Sequence, residues 1–60
     1  MRWERPDPNQ SHLLYVDAED RVVGEVWKDG VRWRVQAFNF SSYTYLTDLA
    51  AKKAVEQALT

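Results

Sequence analysis

The chain has no cysteine, two glycines, two prolines and one histidine among its 60 residues. Without cysteine there can be no disulfide framework and no thiolate metal site, and such a composition is typical of a cytoplasmic protein. No apolar run is long enough for a membrane span or a signal peptide. The two glycines, Gly24 and Gly30, are too few for a phosphate-binding loop.

Charge is nearly balanced, because eight Lys and Arg oppose nine Asp and Glu, for a net charge of −1. Residues 1–20 are acidic on balance, whereas residues 21–45 are basic on balance. A protein that binds nucleic acid is usually basic overall. The composition therefore argues against nucleic-acid binding, except through the segment 21–45.

The sequence contains no recognisable catalytic set. His12 directly follows Ser11, and neighbouring residues on a strand point to opposite faces, so these two cannot form a serine–histidine pair. The acidic residues Asp17, Glu19 and Asp20 lack the length and the turn glycine of a calcium loop, and we interpret them as a solvated turn. We predict a protein that is not an enzyme and that has no cofactor, metal or small-molecule substrate.

Two β-prone runs, 21–28 and 31–38, are separated by the dipeptide Asp29-Gly30. Asp-Gly between alternating apolar residues is a strong signal for a hairpin with a two-residue type I′ loop. Counting outward from that loop places Glu25 opposite Arg34 as an opposite-charge pair.

The same count places Trp27 opposite Arg32, and alternation then divides the hairpin into two faces. The residues of the expected core face are Val22, Gly24, Val26, Val31, Trp33, Val35 and Ala37. The residues of the expected outer face are Arg21, Val23, Glu25, Trp27, Arg32, Arg34, Gln36 and Phe38.

The remaining segments complete an α+β fold. Residues 12–16 are predicted as a first strand, with either Leu13 and Tyr15 or Leu14 and Val16 facing the core. A further strand is predicted over 43–46, after a connection at 39–42. Thr47 is the expected N-cap of a helix over 48–59, whose alanines allow it to approach the sheet closely.

We therefore predict an antiparallel meander of three to four strands with one C-terminal helix packed on one face. Residues 12–60 form this single domain, and residues 1–11, with Pro6 and Pro8, form an irregular arm. Trp3 in that arm either folds back onto the core or contacts a partner. The residues of the expected core are Val22, Val26, Trp33, Val35, Ala51, Val55 and Ala58.

The outer hairpin face is the candidate functional surface, although such a face can also be merely solvated. A two-stranded ribbon fits the major groove of DNA, where Arg and Gln bond to base edges. The candidate nucleic-acid-binding residues are Arg21, Trp27, Lys28, Arg32, Arg34 and Gln36. The alternative is a protein-interaction module, either an inhibitor of a host protein or a homodimer, and its candidate residues are Trp27, Phe38 and Trp3.

The segments 23–26, 31–35 and 45–56 together resemble two families of DNA-binding domains built from three strands and a helix. These are the plant ethylene-response-factor type and the arm-binding domains of phage and transposon integrases. The resemblance covers residues 21–59 and implies that the sheet face enters the major groove, with Arg21, Trp27, Arg32, Arg34 and Gln36 facing DNA. It also implies a small phage or mobile-element protein.

Overall fold

The computed structural model describes residues 1–37 and 40–59, with only the backbone of Tyr43 described. Its elements are β1 (Arg2–Glu4), β2 (Leu13–Val16), β3 (Val22–Asp29), β4 (Arg32–Ala37), β5 (Phe40–Tyr45) and α1 (Asp48–Ala58). The strands form one antiparallel sheet in the order β1-β2-β3-β4-β5. The predicted α+β meander with a C-terminal helix is confirmed, with five strands instead of three or four.

The two additional stretches of strand lie at the two edges of the sheet. Arg2–Glu4, predicted as part of an irregular arm, pair with β2 as an edge strand. Pro6 and Pro8 follow this strand and do not interrupt it. At the other edge β5 begins at Phe40, so residues 40–42 are a strand and not the connection that we predicted.

The hairpin turn differs from the prediction by one residue. Asp29 is the last residue of β3 and pairs with Arg32, so the loop is Gly30-Val31 and not Asp29-Gly30. A type I′ loop at the predicted place would need a positive φ at Asp29, whereas Gly30 carries the positive φ of 67°. Glycine at the first loop position is the requirement of a type II′ turn.

This change moves every cross-strand pair by two residues. Trp27 lies opposite Arg34 and Glu25 lies opposite Gln36, so the predicted pairs Glu25–Arg34 and Trp27–Arg32 are wrong. Because side chains alternate with a period of two, a shift of two residues leaves the strand residues 24–27 and 32–37 on their predicted faces. The division into two faces therefore survives the error in register.

The connection between β2 and β3 is organised by the carboxylate of Asp17. Its Oδ1 accepts the backbone N–H groups of Glu19 at 2.8 Å and Arg21 at 3.0 Å, and its Oδ2 accepts Nε of Arg21 at 3.0 Å. The backbone N–H of Arg21 contributes most to holding the pKa of Asp17 below its usual value. Asp20 completes the turn with a φ of 62°.

The core lies between the sheet and α1. Two adjacent rows of paired residues face the helix, and one of them crosses all five strands. Its members are Trp3, Tyr15, Gly24, Ala37 and Phe40. The second row supplies Leu13, Val26 and Val35, which are buried together with Ala51 and Val55 of α1. Leu13 and Tyr15 thus face the helix, which resolves the register of the first strand.

At Gly24 α1 packs closely against the sheet. A Cβ atom added there would lie 2.5 Å from Cγ1 of Val55, which is itself fully buried. The absence of a side chain at Gly24 therefore allows the helix to sit at its observed depth.

Four of the predicted core residues, Val26, Val35, Ala51 and Val55, are buried, and Trp33 is partly buried against them. Val22 is 53% exposed and Ala58 is also exposed, so these two predictions are wrong. Val22 lies at the start of β3, where the pairing with β2 is irregular, and Ala58 is the last residue of α1.

The helix begins as predicted. The side chain of Thr47 accepts the backbone N–H of Ala50 at 3.1 Å, and Asp48 occupies the first turn. In the part of the chain that the structure describes, no helix has the length and apolar character needed to cross a membrane.

Candidate interaction surface

The sheet face that points away from α1 is the candidate functional surface, and we call it the open face. Its residues alternate along each strand with those that face the helix. One row runs across all five strands. Its members are Glu4, Leu14, Glu25, Gln36 and Ser41. Trp27 and Arg34 form the next row, Asp29 and Arg32 the row after that, and Arg2 lies beside Glu4.

Trp27 lies near the centre of the open face and is half-buried. The ring of His12 is 5.5 Å from that of Trp27 between centroids, at an interplanar angle of 57°. His12 Nε2 lies 2.6 Å from Oε2 of Glu25. A shallow pocket of about 540 Å³ opens beside this group, and it is lined by Gln10, Ser11, His12, Glu25, Trp27 and Lys28.

The pairing of His12 with Glu25 was missed in the sequence, where His12 had no evident partner. The two residues lie 13 positions apart and meet because β2 pairs with β3. Once the register of β2 is known, alternation along this strand places His12 on the open face. Alternation along β3 places Glu25 on the same face. The missing information was that register, since the sequence left two alternatives open.

The charges of the open face are balanced. Its basic residues are Arg2, Arg32 and Arg34, and its acidic residues are Glu4, Glu25 and Asp29. Arg32 lies opposite Asp29 and Arg34 is paired with the same carboxylate, so the basic residues that the structure describes on this face form no stripe free of acidic neighbours.

The guanidinium groups of the open face already have acceptors within the protein. Arg34 forms an ion pair with Asp29, and Arg32 Nη1 donates to the carbonyl oxygen of Thr44 at 3.1 Å. Arg2 contacts both Glu4 and Asp20, and the hydrogen bond to Asp20 is the largest cause that raises its pKa. These arginines serve as parts of local ion pairs and hydrogen bonds.

The structure brings together four of the six residues predicted to bind nucleic acid, namely Trp27, Arg32, Arg34 and Gln36. Arg21 lies at the β2–β3 turn, where it pairs with Asp17 and Glu19, so its place on the hairpin surface is wrong. Lys28 pairs with Trp33, and alternation places it on the side of the sheet that carries α1.

The three residues predicted for protein interaction do not come together on one face either. Trp27 lies on the open face, and Phe38 lies outside the described residues. Trp3 is partly buried on the helix side, where its ring stacks on Tyr15 at 4.6 Å and its Nε1 donates to Oε2 of Glu56 at 2.9 Å. Trp3 therefore folds back onto the core, which was the first of the two alternatives that the sequence left open.

The side chains of the open face include no candidate metal site among the residues that the structure describes. Within residues 1–37 and 40–59, no group of three or more His, Cys, Asp or Glu side chains is placed to hold a metal ion. Among the described side chains, the face offers the large aromatic ring of Trp27, a small apolar contribution from Leu14, and surrounding charges of both signs.

Comparison with known proteins gives no relative: no protein-family model, curated protein or solved structure matches this chain.

Proposed function

We propose that this chain is a non-enzymatic protein-interaction module of the cytoplasm that binds a partner protein through its open face. Trp27 is the anchor of this interface. The partner surface that fits has an apolar centre to cover Trp27 and Leu14, surrounded by polar groups.

The observation that carries the proposal is the balance of charge around a central tryptophan. Aromatic residues surrounded by polar groups are enriched in protein interfaces, where they supply most of the binding energy. A surface that bound the DNA backbone would need its cations available for phosphates. Here Arg34 is paired with Asp29, and Glu25 lies directly opposite Gln36, one of the residues that DNA would contact.

Site-specific photo-crosslinking in the native host tests the proposal. A crosslinking residue at Gln36, exposed on the open face, is compared with one at Lys53, exposed on α1. We expect a protein crosslink at Gln36 that is absent at Lys53. Equal or greater crosslinking at Lys53 would count against the open face as the interface.

The crosslinked partner is then purified and titrated against the wild type and Trp27→Ala. Loss of an aromatic anchor is expected to weaken binding by about 30-fold. Gln36→Lys, which alters the rim without touching the core, serves as the second variant and should weaken binding by a smaller factor. Unchanged affinity in Trp27→Ala, with the variant shown to be folded, would refute the anchor.

DNA binding is the second candidate, because Trp27, Arg32, Arg34 and Gln36 do share one face of a two-stranded ribbon. It predicts binding to duplex DNA that weakens steeply as salt rises, and that is lost in Arg32→Gln/Arg34→Gln. If about 100 µM protein shows no binding to duplex at about 50 mM salt, this candidate fails and the protein-interaction proposal stands.

A further inference from the structure

The two edges of the sheet differ in how well they are protected. β1 is three residues long, carries Arg2 and Glu4, and is followed closely by Pro6 and Pro8. Short edge strands with charges and nearby proline are the usual means by which proteins prevent strands of other molecules from pairing. This edge is therefore closed to further pairing.

The β5 edge has few of these safeguards. It is six residues long, with the sequence Phe-Ser-Ser-Tyr-Thr-Tyr, and contains neither a charged residue nor proline. In the described part of the chain, β4 is the strand that pairs with it, so the backbone groups on its other side have no strand partner. An uncharged edge strand of this length is a template for another strand.

The regular part of this edge is its first half. The pairing of β4 with β5 shifts register between Trp33 and Val35, and Arg32 reaches the carbonyl of Thr44 in the irregular half. Bulges of this kind discourage pairing. The residues from Phe40 to Ser42 pair in unbroken register and are the segment that is best formed for a new strand partner.

Exposed leucines continue this edge. Leu46 follows β5 directly and is 66% exposed, and Leu49 in the first turn of α1 is 61% exposed. If another β5 pairs antiparallel with the regular segment 40–42, Phe40 of each copy lies opposite Ser42 of the other. The two Phe40 side chains are then diagonal neighbours on one face of the joined sheet, and the leucines lie beyond the paired segment.

We propose that β5 pairs antiparallel with β5 of a second copy of this chain, so that two five-stranded sheets join into one. A second copy fits for three reasons. Two-fold pairing places identical residues near each other, and β5 has no charge to repel its copy. The Phe40 side chains of the two strands become diagonal neighbours, within reach of each other. A 60-residue chain with a small core also gains stability from oligomerisation.

The size of the contact sets its expected strength. The chain exposes 4235 Å² in total, and a standard interface buries about 800 Å² of each partner. One edge strand with two leucines covers less than that area, so we expect a dissociation constant on the order of micromolar and rapid exchange. This inference is independent of the open face, which remains accessible on both copies.

The test is sedimentation equilibrium from about 1 µM to about 1 mM protein, a range that brackets such a dissociation constant. Wild type is compared with Ser41→Lys, which places a charge on the edge, and with Gln36→Lys, its matched control. Ser41 and Gln36 are both exposed and lie directly opposite each other on β5 and β4. We expect Ser41→Lys to weaken the dimer at least tenfold and Gln36→Lys to leave it unchanged.

Trp27→Ala distinguishes this dimer from one formed through the open face. An edge dimer should be insensitive to it, and backbone amides of β5 should gain protection from hydrogen exchange as concentration rises. A wild type that stays monomeric up to about 1 mM overturns the proposal. So does a dimer that is lost in Trp27→Ala and retained in Ser41→Lys. Neither result affects the crosslinking test of the open face.

Discussion

Replacing Gly24 by alanine is expected to push α1 away from the sheet. The added Cβ would lie 2.5 Å from Cγ1 of Val55, and at 3.5 Å from the carbonyl oxygen of Gln36. Val55 is β-branched and sits in a helix, where its χ1 angle is strongly restricted. Because the Val55 side chain is fully buried, it cannot rotate away, and the helix itself has to shift.

Two effects of opposite sign determine the magnitude. Forcing an extra carbon into a packed core costs about 1 to 3 kcal/mol. Replacing glycine by alanine reduces the entropy of the unfolded chain and returns about 0.4 to 1 kcal/mol. The steric term dominates, so we expect a net loss of about 1 to 2 kcal/mol, or a melting temperature lower by about 5 to 15 °C for a domain of this size.

The assay is thermal and urea unfolding followed by far-UV circular dichroism, applied to a double-mutant cycle with Val55→Ala. Val55→Ala alone removes two methyl groups from the core and should cost about 2 to 3 kcal/mol. It also removes the Cγ1 atom with which the Cβ added at position 24 would collide. The double variant should therefore be more stable than the sum of the single effects predicts, by about 1 kcal/mol or more.

Gly30→Ala is the matched control, because Gly30 has no atom within 4 Å of an added Cβ. Its φ of 67° lies in the left-handed region, so alanine there costs about 1 to 2 kcal/mol through backbone strain alone. That cost should add to the effect of Val55→Ala without coupling. If Gly24→Ala is neutral, or couples no more strongly than Gly30→Ala, the close approach of helix and sheet is refuted.

Three further predictions concern the turn, the helix start and the first strand. Because the folded-state pKa of Asp17 is lowered, its carboxylate stabilises the fold above the usual carboxyl range, and this contribution is lost as pH falls through the lowered pKa. Asp17→Asn should melt below the wild type at neutral pH and converge with it in acid; parallel melting curves would contradict this. Thr47→Ala should cost about 1 kcal/mol by urea unfolding, since it removes the N-cap, and Thr47→Ser should restore most of it. Trp3→Phe retains the stacked ring but loses the hydrogen bond to Glu56, so we expect a loss of about 1 to 2 kcal/mol that Glu56→Gln reproduces in part. Full stability in Trp3→Phe would show that the bond contributes nothing.

The sheet was predictable because its signals are local. Alternation along 21–38 and the Asp29-Gly30 signal indicated a hairpin, and the true loop lies one residue further on. That small displacement changed every cross-strand partner, since Arg34 pairs with Trp27 and not with Glu25. It left residues 24–27 and 32–37 on their predicted faces, because the register moved by two and side chains repeat with a period of two.

The candidate surface and the contacts of the N-terminal strand were only partly predictable, because both link distant parts of the chain. No local signal joins His12 to Glu25 or Trp3 to Glu56, which lies 53 residues away. Prolines near the start suggested an irregular arm, yet the aromatic stacking of Trp3 on Tyr15 holds a short strand there. Packing outweighs local propensity at such an edge strand.

By itself, the sequence determined the α+β class, the helix with its Thr47 cap, and the division of the hairpin into a buried and an open face. These depend on periodicity and capping, which are properties of neighbouring residues. Tertiary structure alone decided the cross-strand partners, the depth of α1 over Gly24, and which edge of the sheet lacks protection. Those depend on how separate strands align, and a register is fixed only when the whole sheet is assembled against its helix.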